Sequence, residues 1–217
     1  MLVRTALMAM ALSVTLPAVA AAGEESHRFK DPFKYTAEWD SAERDAWQRP
    51  GVLADILAIR PGSAVADIGA GTGYFTRFFS WVTEEKGKVY AVDIEPAMLE
   101  YIRNRQDFQY DNVETILAEP EDPKLPPDSV DAIVIVNTWH HLPKRPKYLK
   151  KLEPALRRGG RVAVVDWREG VLDKGPPPEA KIPRDRVVAE FENAGWTLTS
   201  ESKALEYQYL LIFKPGK

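Results

Sequence analysis

The sequence predicts one α/β domain built on a doubly wound sheet, mostly parallel, with an antiparallel last strand. Three observations carry this. After Gly62, short apolar runs alternate with amphipathic stretches; a glycine-rich turn joins the first run to the first stretch; and near the C-terminus two apolar runs are separated only by a short link. Parallel strands need long crossovers, usually helical, whereas a short link makes its two strands antiparallel. The chain has 217 residues, 45% hydrophobic and 28% charged, which suits a single core and is too apolar for a disordered segment.

Taken in order, residues 1–22 read as a secretory signal. Arg4 precedes an uncharged run rich in Ala, Leu, Met and Val, and Pro17 leads into Ala18-Val19-Ala20, a small-residue cleavage pattern with the cut after Ala20 or Ala22. The expected location is therefore periplasmic or secreted. The alternative is an N-terminal membrane anchor, since the uncharged stretch approaches bilayer-spanning length. Residues 23–50 form an N-terminal arm and cap, and residues 51–217 the main domain. Trp47, Val52, Leu53, Ile56 and Leu57 recur at helical spacing, with a kink or restart at Pro50 and a stop at Arg60-Pro61-Gly62. Strands are expected at Ala64 to Ile68, Lys88 to Val92, Val113 to Leu117, Ala132 to Val136 and Arg161 to Val165. Helices are expected at Tyr74 to Thr83, Pro96 to Arg105 and Pro146 to Arg157, the last because Tyr148, Leu149, Leu152 and Leu156 share a face. A final helix, Arg184 to Ala194, precedes paired strands at Thr197 to Lys203 and Tyr207 to Phe213.

The absence of cysteine removes thiolate nucleophiles, Cys-ligated zinc and disulfides. A net charge of -3 gives no reason to expect a polyanion-binding surface as the main function, so nucleic acid is not an expected partner. The informative segment is Asp67-Ile68-Gly69-Ala70-Gly71-Thr72-Gly73-Tyr74, a strand end turning into a helix. Its glycines permit a tight turn and close backbone approach of a ligand. The bulky Tyr74 stands where a dinucleotide fingerprint wants its last small residue. Asp67 would repel a pyrophosphate and attract an ammonium group. Asp93 ends the next strand about 20 residues on, where an acid accepts both hydroxyls of a ribose. Together the two acids suit a ligand with ammonium and ribose but no phosphate.

These residues, with Asp131 to Leu142 and Leu156 to Val162, resemble the class I S-adenosylmethionine-dependent methyltransferases of the generic small-molecule type, a Rossmann-like fold. The resemblance runs from about Val52 to Lys214. It implies S-adenosyl-L-methionine as cofactor, cradled by Gly69, Ala70, Gly71 and Gly73, with Asp67 near its amine, Asp93 and Ile94 at the ribose, Glu119 near the adenine, and Asn137 bordering cofactor and acceptor. The implied activity is in-line transfer of a methyl group to a small-molecule acceptor. The alternative is an exported module that binds the cofactor without turnover.

His140 and His141 follow the fourth strand and are two of the chain's three histidines. His140 is the candidate general base, and His141 reads as a packing residue bordering the acceptor pocket. An adjacent pair without a third ligand does not suggest a metal. Trp139 and Trp167 lie just past strand ends and are the candidate acceptor-binding rings, with Trp39, Trp47, Tyr207 and Tyr209 in segments able to reach the same edge. The basic run Lys144, Arg145, Lys147, Lys150 and Lys151 reads as a solvated helix face, or as a surface for an anionic substrate or lipid, which leaves membrane association open. The chain carries no signal of oligomeric state. Signal and cofactor point to different compartments, because S-adenosylmethionine is made in the cytosol.

Overall fold

The computed structural model describes residues 29–216, so the export reading of residues 1–22 lies outside the described residues. Seven strands form one sheet, β1 Ala64–Ile68, β2 Lys88–Asp93, β3 Val113–Leu117, β4 Val130–Val136, β5 Leu156–Trp167, β6 Trp196–Ser202 and β7 Gln208–Pro215, in the order β3-β2-β1-β4-β5-β7-β6. The first five pair in parallel, and β7 inserts antiparallel between β5 and β6. The expected doubly wound sheet with an antiparallel last strand is therefore the observed one. Four main-domain helices connect the strands: α4 Tyr74–Thr83, α5 Pro96–Asn104, α6 Arg145–Leu152 and α7 Arg184–Asn193.

Strand periodicity divides the core between the two faces of the sheet. On β4, Ile133 and Ile135 join one cluster with Trp139, Phe191 and Phe213, while Val134 and Val136 join the other with Leu53, Leu57, Phe75 and Phe79. β5 and β7 divide in the same way, Val162, Val164 and Leu211 on one side and Ala163, Val165 and Leu210 on the other. Both faces of the central strands are dry, so they read as continuous apolar runs rather than alternating ones. That continuity places their polar residues at the strand ends.

One boundary differs from expectation. The helix predicted to reach Arg157 ends at Leu152, a 3-10 turn occupies Glu153–Ala155, and β5 begins at Leu156. Pro154 has no amide to continue the helical ladder, and Leu156 instead pairs with Val130.

The N-terminal cap comprises a 3-10 turn at Pro32–Lys34 and three short helices, α1 Thr36–Trp39, α2 Ala42–Gln48 and α3 Pro50–Ile56. The break expected near Pro50 is the left-handed Arg49, at φ 48°, with Pro50 opening the next helix. Proline suits that place because the first helical amide has no partner to lose. The cap is fastened to the main domain by polar side chains: Thr72 Oγ1 donates to Asp40 at 2.8 Å, Arg105 Nη1 to Asp40 at 2.7 Å, and the Tyr74 hydroxyl to Asp45 at 2.5 Å. It lies over the carboxyl edge of the sheet, where ligands of doubly wound folds bind.

Candidate functional site

The carboxyl edge gathers the ends of β1, β2, β4 and β5 under the cap. At the end of β1 the backbone turns through three left-handed glycines, Gly69 at φ 72°, Gly71 at 55° and Gly73 at 88°. A Cβ on Gly69 would lie 2.2 Å from Thr138 Oγ1, and one on Gly71 would lie 3.2 Å from the Trp39 ring. The turn is therefore pressed between the β4 loop and the cap and tolerates only backbone.

The amides of this turn are spent inside the protein. Gly69 and Ala70 donate to the Val92 carbonyl at 2.8 and 3.1 Å, Gly71 to Asp93 Oδ2 at 2.9 Å, and Gly73 to the Ala70 carbonyl at 2.9 Å. A phosphate cradle needs such amides free to point at the anion. A phosphate-free, cationic ligand does not.

Asp67 is 2% exposed and accepts a hydrogen bond from Thr76 Oγ1 at 2.6 Å. Burial raises its pKa to about 6, with the Thr76 hydrogen bond and the Arg44 charge working against the rise and Asp93 adding to it. Asp93 is also raised by burial, opposed by the amides of Glu95 and Gly71 that it accepts. Two carboxylates in one desolvated pocket make a site of strongly negative potential, which a ligand ammonium would relieve. Ile94 follows Asp93 and packs half-buried against the main core.

Glu119 does not join this group. Its side chain is 66% exposed and pairs with Lys124 at 3.0 Å, because a local bridge between Glu119 and Asp122 turns the chain outward after β3. The adenine-side expectation thus meets a carboxylate facing solvent. Trp139 is corrected as well: it lies wholly within the core, its ring 5.0 Å from Phe191 and its indole N–H donating to Glu190 at 3.0 Å. Within the 3-10 turn Trp139–His141, Trp139 enters the core while the next residue, His140, meets Asp166. Tyr209 is another core residue, with its hydroxyl on the Ile182 carbonyl.

His140 is the centre of the other half of the site. Its Nδ1 lies 2.8 and 3.0 Å from the two carboxylate oxygens of Asp166, at the end of β5. Asp166 is fully buried and also accepts the backbone amides of His140 at 3.1 Å and Trp167 at 2.8 Å. A carboxylate with those contacts accepts the Nδ1 proton and leaves the lone pair on Nε2. The His140 side chain is 5% exposed, so this lone pair lies in a largely dry setting. His141 is exposed, its ring 4.0 Å from that of His140 and 5.6 Å from Phe29.

Aromatic rings cluster in the cap and beside the end of β5. Phe29, Tyr35 and Trp39 of the cap pack together, the last two stacked at 4.5 Å, and Phe29 carries the contact to His141. On the β5 side Trp167 lies 5.6 Å from Trp47, which also meets Tyr207 at 6.1 Å. The basic run on α6 is largely neutralised: Lys144 and Lys147 pair with Glu121, Lys151 with Asp122 and Arg145 with Glu190. It is a paired helix face. Among the described residues no helix is long and apolar enough to cross a membrane.

Sequence reasoning missed Asp166, although the signal was present. It ends a buried strand at the same edge as Asp67 and Asp93, and the rule that selected those two selects it also. Arg44, Gln48 and Gln208 gave no such signal.

Comparison with known proteins gives the following likenesses. Residues 66–164 match the family profile described as a methyltransferase domain. The ubiquinone/menaquinone biosynthesis C-methyltransferase UbiE of Hahella chejuensis is 33% identical over 123 residues, covering 56% of this chain and 49% of that protein. The protein of the same name from Vibrio vulnificus strain YJ016 is 33% identical over 129 residues, covering 58% and 49%. The chain thus spans about half the length of the curated relatives it matches. Among solved structures, a SAM dependent methyltransferase from Aquifex aeolicus superposes with a TM-score of 0.78 at 29% identity, covering 84% of this chain and 97% of that one.

Proposed function

We propose that this chain, an S-adenosylmethionine-dependent methyltransferase, carries a methyl group to a small-molecule acceptor seated against His140. The observation that carries the proposal is the His140–Asp166 pair beside a glycine turn whose amides are already committed. The cofactor fits on the same ground: two buried acids suit its ammonium and ribose, and four amides of the turn, those of Gly69, Ala70, Gly71 and Gly73, are already committed inside the protein. When bound, S-adenosylmethionine supplies a sulfonium methyl group whose bonding electron pair stays with sulfur on displacement.

The protein's own part is to position, desolvate and remove a proton. Asp67 and Asp93, at the strand ends beside the glycine turn, would hold the cofactor by charge and hydrogen bonding. The cap rings exclude water and offer flat apolar surfaces to the acceptor. Nε2 of His140 takes the acceptor's hydroxyl proton, and Asp166 stabilises the imidazolium that forms. The transferred methyl replaces one acceptor hydrogen, and the proton passes from His140 to solvent.

The curated relatives are named as C-methyltransferases, and that likeness supports carbon as the receiving atom on a hydroxylated ring. Ionising the ring hydroxyl at His140 raises electron density on the ring carbons; after the methyl joins carbon, the proton on that carbon is lost to solvent and the oxygen regains its proton from the His140 imidazolium, so the same base serves carbon and oxygen transfer. The segment 1–22 is read as an export signal; N-terminal sequencing of the protein recovered from its native cell tests this, and an intact Met1 would sink it. The function itself is tested by calorimetric titration of the chain from Glu24 onward with S-adenosylhomocysteine, followed by methyl-transfer assays against hydroxylated aromatic acceptors. Micromolar binding with turnover abolished in His140→Ala is the expected result. Binding without turnover of any such acceptor would favour a module that holds the cofactor and does not use it.

A further inference from the structure

Two glutamines far apart in sequence meet beneath the cap. Gln48, in α2, and Gln208, at the start of β7, are 1% and 0% exposed. Gln48 Nε2 donates to Gln208 Oε1 at 2.7 Å, and Gln208 Nε2 donates to Asn137 Oδ1 at the end of β4. Buried amides without partners are costly, so this row is held together by the penalty for breaking it.

A row of primary amides can run in either direction, because each offers an oxygen on one side and an NH2 on the other. The far end decides. Arg44 Nη2 faces Gln48 Oε1 at 3.4 Å, while its Nη1 donates to the Trp39 carbonyl at 2.7 Å. Arginine has donors and no acceptor. Gln48 must therefore turn its oxygen toward Arg44 and its NH2 toward Gln208, which turns its own NH2 toward Asn137. The oxygen of Asn137 is consumed by Gln208, and its NH2 is the group left to donate outside this row. The backbone supports the pose: Asn137 is left-handed at φ 52°, a conformation asparagine tolerates, and its amide donates to the Val165 carbonyl at 2.8 Å. The buried Arg44 Nε has no hydrogen-bond partner, and the guanidinium is held by the Trp39 carbonyl, by Gln48 and by the Tyr74 ring 4.1 Å from its centre.

We propose that Arg44, Gln48 and Gln208 are positioning residues that lock Asn137 as a hydrogen-bond donor, so that the ligand group at the end of β4 is an acceptor oxygen of the bound cofactor. This rests on the proposed function for the identity of the ligand, but not for the polarity of the row. It also makes the cap part of the binding site, since the residue that sets the polarity belongs to α2.

The test uses two readouts on the full chain. In 15N-labelled protein the side-chain amide signals of Asn137, identified by their loss in Asn137→Asp, are expected to shift in Arg44→Met and in Gln208→Met, although Arg44 does not touch Asn137. In calorimetry with S-adenosylhomocysteine, Gln208→Glu accepts at both ends, forces Asn137 to turn its NH2 inward, and is expected to weaken binding by about tenfold. The apolar Gln208→Met keeps the shape and releases the amide, with an expected loss of about threefold. Unchanged Asn137 signals in Arg44→Met, or wild-type affinity in a folded Gln208→Glu, would overturn the relay. If Gln208→Glu does not fold, Gln48→Glu, which accepts from both Arg44 and Gln208 and so also turns the Asn137 NH2 inward, gives the same comparison from the other side. If the wild type itself fails to bind S-adenosylhomocysteine, the cofactor assignment falls while the amide signals still decide the polarity.

Discussion

The two halves of the carboxyl edge are built by different means. The half at β1 and β2 is a backbone construction: glycines in left-handed conformations, amides donating to Val92 and Asp93, and two acids at consecutive strand ends. The half at β4 and β5 is a side-chain construction, with His140 on Asp166, Asn137 on Gln208, and the cap meeting it through Phe29 on His141 and Gln48 on Gln208. The first half binds by shape and charge that a short stretch of chain supplies by itself. The second acts through contacts that exist only when distant strands and the cap are assembled.

This contrast predicts that the His140–Asp166 pair carries the chemistry, whereas affinity is shared between the β1–β2 acids and the Asn137 row at the end of β4. The largest effect is expected for His140→Ala, which should lower kcat by about 10²- to 10⁴-fold and leave the calorimetric affinity for S-adenosylhomocysteine unchanged; a comparable loss of affinity would erase the division between the halves. Gly69→Ala should destabilise the fold by about 2–4 kcal/mol in denaturant titration, since the added methyl meets Thr138 in a conformation alanine avoids. A wild-type midpoint for that variant would mean the two halves are less tightly pressed together than the geometry indicates.

Asp166→Asn keeps the shape but cannot hold the imidazolium, and kcat is expected to fall by about 10- to 100-fold; full activity would leave Asp166 only a packing role. A smaller effect follows from Asp67. Its pKa is raised by burial to about 6 in the unliganded fold, above its ordinary value, so this group lowers stability as pH rises from about 4 to about 6 and contributes no further change above that. A bound ammonium favours the ionised carboxylate, so cofactor affinity should tighten as pH rises from 5 to 7 and then level off. Titrations in Asp67→Asn should lose that slope, and a slope that persists would assign it to another group. The smallest effect belongs to Glu119→Ala: the outward-facing carboxylate should change S-adenosylhomocysteine affinity less than about twofold, near the noise of surface changes.

Much of this molecule was legible in short segments. The sheet was visible because its central strands are dry on both faces and read as unbroken apolar runs, and the paired last strands because their link is short. Asp67 and Asp93 were visible because they interrupt such runs at their ends. The misassigned residues failed for one reason. Position relative to a strand end says which edge a residue reaches, but not whether its side chain points into the core, as Trp139 does, or into solvent, as Glu119 does. The helix boundary at Leu152 was misjudged because Leu156 continues a helical spacing while Pro154 has already ended the ladder.

What the sequence determined by itself was the architecture, the glycine turn and the charge character of the ligand, since each follows from residues within one or two elements. The tertiary structure alone decided the rest. Asp166 orients His140 because β5 lies beside β4, and Gln208 reaches both Asn137 and Gln48 because β7 inserts beside β5 and the cap folds over the edge. Hydrogen bonds are short-ranged and directional, so a partnership between residues separated by 160 positions leaves no trace in local pattern. Such partnerships appear only when the chain has closed on itself.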